Sequence, residues 1–178
     1  MTVPTRMSGS RARRNGGSDY EGLSYSVTRL RPGVSASEFS THLTGFEEVP
    51  AILSEASGAF TARVSSGGNT LQYELNYANL SSTATAAHIH FAQRGVSGPI
   101  IVFLCGGNGT GNCPERAGIV RGTISSEDIR AIPEQGLEAG DFEGFLRILR
   151  AGAAYVNVHS ERYPNGEIRG QIRARVQP

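Results

Sequence analysis

The chain has 178 residues, with seventeen arginines, no lysine and sixteen acidic residues, so that its formal net charge is +1. That length suits one domain with a real core, which would bury roughly 70% of its unfolded surface. No run of about eighteen apolar residues occurs, so no helical membrane span is expected.

The charge is unevenly spread. Residues 1–33 carry Arg6, Arg11, Arg13, Arg14, Arg29 and Arg31 against only Asp19 and Glu21, with Gly and Ser between them and little apolar periodicity. This reads as a disordered Arg-rich leader ahead of a domain over 34–178. The remainder holds eleven arginines against fourteen acids, a mildly acidic domain. Without aromatic interleaving or a recognisable nucleic-acid fold, the leader reads as solvated and no nucleic-acid partner is expected. No apolar stretch follows the early arginines, so no secretory signal is visible.

From Phe39 onward, short β-stretches alternate with Gly, Ser and Asn turns. Residues 59–64 run into the turn Ser65-Ser66-Gly67-Gly68-Asn69 and then into 70–77, where Leu71, Tyr73, Leu75 and Tyr77 alternate with polar residues. That is the pattern of a hairpin with one buried face. Further strands are expected at 85–91, 100–104, 119–124, 154–159 and 167–176. The last would place Ile168, Ile172, Ala174 and Val176 on one face and Arg169, Gln171, Arg173 and Arg175 on the other. Two short helices are expected between strands. One is capped by Ser125 or Ser126 and stopped by Pro133; the other is capped by Asp141, with Phe142, Phe145, Leu146 and Leu149 as a core stripe. Many short strands with turns between them indicate a sandwich or barrel.

Cys105 and Cys113 bracket Gly-Gly-Asn-Gly-Thr-Gly-Asn, and a disulfide closing that loop is expected. It implies an oxidising compartment, extracellular or periplasmic. Asn79-Leu80-Ser81 and Asn108-Gly109-Thr110 fit the N-glycosylation pattern.

The segments with most chemical content are Ala87-His88-Ile89-His90-Phe91 and Tyr155-Val156-Asn157-Val158-His159-Ser160. Strand alternation puts His88 and His90 on one face of the first, and Tyr155, Asn157 and His159 on one face of the second. Three imidazoles are a ligand set for copper or, as second choice, zinc. The competing readings are a buried polar network, in which Tyr155 and Asn157 partner the ring nitrogens, and a catalytic role without metal. His42 reads as a surface or capping residue. Gly95-Val96-Ser97-Gly98-Pro99 precedes a strand rather than a helix, so it is no phosphate loop.

Several of these stretches together resemble the CHRD domain, the module named from chordin. The matching segments are Leu43-Thr44-Gly45-Phe46-Glu47-Glu48-Val49-Pro50, then Ala87-His88-Ile89-His90 with Gly95-Val96-Ser97-Gly98-Pro99, then Gly122-Thr123-Ile124, Ala154–Ser160 and Tyr163–Gln171. The chain departs from the family pattern at Ala51 and Phe91. The resemblance implies an all-β, Greek-key-like β-sandwich resembling copper/zinc superoxide dismutase, with one or two short helical insertions. About activity the resemblance implies little; the cysteines point to an exported protein, and the histidines to either a copper-only centre, with copper-dependent redox activity such as superoxide dismutation by analogy of fold, or a non-enzymatic binding or matrix module with a protein partner. Arg169 would serve the first as an anion guide. Glu48 and Glu167, both in the resembling motifs, are expected to form a structural ion pair with Arg169 that locks the Glu48 loop onto the last strand, in preference to acid/base chemistry.

Overall fold

The alternating hairpin is the centre of one half of the fold. In a computed structural model that describes residues 36–175, it forms β2 (Ser57–Val64) and β3 (Leu71–Ala78), with Phe60, Leu71 and Leu75 fully buried. The expected leader, 1–33, lies outside the described residues. The other strands are β1 (Glu38–Thr44), β4 (Ala84–Phe91), β5 (Ile100–Cys105), β6 (Gly118–Ile124), β7 (Ala154–Ser160), β8 (Ile168–Gln171) and β9 (Arg173–Arg175). All pair antiparallel in one sheet ordered β5-β4-β7-β8-β1-β2-β3-β6, with β9 also on β1. The fold is all-β, and the sheet curls nearly closed around one core. Its two edges approach where the Tyr73 hydroxyl of β3 donates to the Leu104 carbonyl of β5, at 3.1 Å.

Phe39 and Leu43 from β1, Ile89 from β4, Val156 and Val158 from β7 and Ile168 from β8 fill the core. Each strand has its second face outside, and that alternation decides where the histidines lie.

Asp141 caps α1 (Phe142–Arg150) by accepting the Gly144 amide at 2.8 Å, and Phe145, Leu146 and Leu149 bury as the stripe requires. The segment after Ser125 is only a one-turn 3-10 helix, Ser126–Asp128, in which Asp128 accepts the Ser125 amide at 2.8 Å. The expected strand over 167–176 is corrected to two. At Ile172 the amide turns to the Ala154 carbonyl, 2.9 Å away, and the chain then leaves β7 to pair with β1 as β9.

Cys105 and Cys113 are disulfide-bonded and tie the end of β5 to the loop before β6. Cys105→Ser/Cys113→Ser is expected to lower unfolding stability by about 2–3 kcal/mol, the loop-closure value for so short a loop. Urea midpoints of the two proteins test this, and equal midpoints would contradict it.

Candidate metal centre

Strand register assembles the site. β4 and β7 pair so that His88 lies opposite Asn157, His90 opposite Tyr155 and Ala86 opposite His159. The core face of these strands is taken by Ala87, Ile89, Val156 and Val158, so the histidines share the outer face of the sheet. On that face one row crosses four strands: Phe103 on β5, His88, Asn157, and Arg169 on β8. The next row is His90, Tyr155 and Gln171. Although outside the core, the layer is covered, and His88, His90, Asn157, Tyr155 and Arg169 are all buried. One ring nitrogen from each of His88, His90 and His159 lies within 4.8 Å of the other two. A tetrahedral ion with bonds of about 2.0–2.1 Å would need ligand pairs about 3.3 Å apart, closer than the widest separation here.

The hydrogen bonds assign the tautomers. A carbonyl only accepts, so His90 Nδ1–H donates to Gly98 O at 2.8 Å and His159 Nδ1–H to Pro164 O at 2.9 Å. In each ring this leaves Nε2 as the lone pair. His88 Nδ1 lies 3.1 Å from His159 Nε2 and is the donor of that pair. The Nε2 atoms of His88 and His90 are then both buried without a hydrogen-bond partner. A backbone carbonyl that fixes the far nitrogen and leaves the near one bare, as at His90, is the usual setting of a metal-bound imidazole.

Packing orients the rings further. His88 stands edge-on to Phe103, with centroids 4.6 Å apart, and the Arg130 guanidinium covers that phenyl ring. His90 stacks on Tyr155 at 4.7 Å and 6°, and the Arg169 guanidinium lies 3.4 Å from the same tyrosine ring. Gly98 joins the two, donating its amide to the Tyr155 hydroxyl at 3.2 Å while its carbonyl holds His90. It must be glycine, since a Cβ there would collide with the Phe91 carbonyl.

The imidazoles are held neutral. Burial, followed by repulsion from His159, His90 and Arg130, pushes His88 down to about 3. Burial likewise takes His90 down to about 4 and lowers His159. Neutral rings present lone pairs without proton competition at physiological pH.

A family model described as the CHRD domain matches residues 39–172, most of the chain. The chain belongs to the CHRD domain family. Neither a curated protein nor a solved structure matches it.

The structure brings together His88, His90, His159, Tyr155 and Asn157 of this CHRD domain; His42 is exposed on β1, apart from them. The expected ion pair among Glu48, Glu167 and Arg169 does not form. Glu167 sits just before β8, and its carboxylate accepts from Ser54, Ser81 and Ser160. Arg169 instead donates to the carbonyls of Val96 at 2.8 Å and Gln93 at 3.3 Å. Burial opposes charge on Glu167, but its donors outweigh that and lower its pKa; Glu48, buried with fewer donors, is pushed up to about 7. Sequence reasoning passed over Gly98, Pro164, Phe103 and Arg130. The first two act through backbone carbonyls, which residue type does not reveal. Phe103 was open to inference, since it lies opposite His88 once β4 and β5 are paired.

Proposed function

We propose that this CHRD domain is an exported metal-binding module in which His88, His90 and His159 hold one copper ion, with zinc the second choice. The observation that carries the reading is the pair of buried, unpartnered Nε2 atoms on His88 and His90, pre-set by the Gly98 carbonyl and the neighbouring rings. A purely structural polar network would leave both atoms unsatisfied, at about 1–3 kcal/mol each. A cation satisfies them together, and three neutral imidazoles suit copper above zinc by the ordinary order of divalent affinities. Bound copper would supply a one-electron couple; the chain supplies the neutral ligand set and its cover of loop residues. The disulfide and the CHRD assignment support export, since disulfides persist outside the cytosol.

The test is metal content by mass spectrometry after refolding with copper and zinc, beside a His88→Ala/His90→Ala/His159→Ala variant whose fold is checked by circular dichroism. About one metal per chain, lost in the folded variant, is expected. No metal on the parent protein, or equal metal on both, would overturn the proposal.

A further inference from the structure

The three rings surround a fourth polar group. Asn157 is the ladder partner of His88, lies two residues from His159 on the same face, and is diagonal to His90. It is 3% exposed. Its Oδ1 lies 3.1 Å from His159 Nε2. That spacing suits a hydrogen bond, but the protons are wrong for one. His159 has given its Nδ1 proton to the Pro164 carbonyl, so a neutral ring has a lone pair at Nε2, and an amide oxygen has only lone pairs. Two acceptors therefore lie at hydrogen-bond distance in a buried layer, with the His88 Nδ1–H directed at the same Nε2.

Turning the amide over would relieve this by directing Nδ2 at the ring, but the other side of the amide opposes it. Asn157 Nδ2 is turned toward the Glu48 carboxyl beside Gly166; a Cβ on that glycine would come within 2.9 Å of Nδ2 and would strike Glu48 Oε1. Gly166 has φ +125°, a conformation that favours glycine, so the approach of Glu48 to Asn157 depends on that residue. Glu48 Oε1 is buried with no hydrogen-bond partner. Nδ2 lies on the Glu48 side and Oδ1 on the side of the histidines.

We propose that Asn157 Oδ1 is a fourth ligand, so that the ion of the three-histidine reading, on which this rests, sits in a closed N3O set oriented through Glu48 and Gly166. One cation shared by Oδ1 and His159 Nε2 would displace the His88 Nδ1–H from that lone pair and turn two acceptors into adjacent donors. Four protein ligands leave no position for an outside molecule, which assigns the centre to structural or binding use rather than to turnover at the metal.

Co²⁺, whose visible spectrum reports coordination, is the probe, titrated into the full chain, Asn157→Ala, Asn157→Asp and His88→Ala/His90→Ala/His159→Ala. The parent protein is expected to bind one Co²⁺ with an intense four-coordinate band that added azide does not move. Asn157→Ala should bind more than about 100-fold more weakly, beyond the roughly 10–100-fold of a lost outer partner, with a spectrum that azide shifts. Asn157→Asp, nearly isosteric and still an oxygen donor, should keep the band, which separates ligand loss from misfolding. A parent spectrum that azide shifts, or unchanged binding by Asn157→Ala, overturns the fourth ligand and leaves the three-histidine site standing. Absence of Co²⁺ binding by the parent protein, or its retention by the triple variant, overturns both.

Discussion

Glu167→Ala is expected to destabilise the domain by about 4 kcal/mol, a large part of the stability of a domain this size. The Glu167 carboxylate is fully buried and accepts four hydrogen bonds: from Ser160 Oγ at 2.6 Å, Ser54 Oγ at 2.7 Å, Ser81 N at 2.9 Å and Ser81 Oγ at 3.0 Å. These donors come from the loop after β1, the loop before β4 and the end of β7. One carboxylate thus gathers three segments at the mouth of the fold. Hydrogen bonds to a charged group contribute about 1.5–3 kcal/mol each, though not additively, and truncation leaves the half-buried Ser81 amide without its partner. Glu167→Gln keeps the shape but turns an NH2 toward groups that donate, and should cost about 2 kcal/mol. The carboxyl titrates below its ordinary 4.5, so its contribution is fully present above that pH and is lost as pH falls through the folded-state value. The difference in urea stability between the parent and Glu167→Gln should therefore shrink progressively as the pH is taken from neutral to below 4.5. A difference that stays constant over that range, or an alanine variant within about 1 kcal/mol of the parent, contradicts this role.

Arg169→Met should cost about 3 kcal/mol and loosen the loop above His90. The guanidinium is 2% exposed, lies 3.4 Å from the Tyr155 ring and donates to the carbonyls of Val96 and Gln93. Methionine keeps the apolar stem and removes both the charge and the donors. The Val96 carbonyl then loses its partner and the Gln93 carbonyl keeps only the Val96 amide, in the loop over residues 92–99 whose Gly98 carbonyl fixes the His90 tautomer. Copper affinity should fall about tenfold with the stability, as for the loss of an outer partner of a metal ligand. Urea unfolding and amide exchange over the loop are the measurements. Wild-type exchange at Val96 to Gly98 together with parental stability would show that Arg169 is not the clamp described here.

The strands were legible where alternation was strong. Leu71, Tyr73, Leu75 and Tyr77 announce β3, and the histidine-bearing stretches 85–91 and 154–159 announce β4 and β7. β1 was not expected as a strand of its own, because only Phe39 and Leu43 mark its buried face, with Thr41 between them. The last strand was expected unbroken because residue type cannot show that the chain changes partner at Ile172. Alternation was enough to put His88 with His90 and Asn157 with His159. It could not say that these faces meet, because that depends on β4 pairing with β7 across more than sixty residues of chain. Nor could it foresee that the shared face is the outer one, since a row of His, Asn and Arg outside the core becomes a buried layer only when loops cover it. Glu167 and Arg169 were expected to pair because opposite charges two residues apart on a strand commonly do. Each instead found uncharged partners brought in by distant loops.

X-ray absorption at the copper edge, on protein loaded with one equivalent of copper, tests the central claim most directly. Three imidazoles bound through nitrogen at about 2.0 Å, with the outer-ring scattering that distinguishes histidine from other donors, are the expected result. Fewer than three imidazoles, or copper that washes off the folded protein before measurement, would contradict a centre built from His88, His90 and His159.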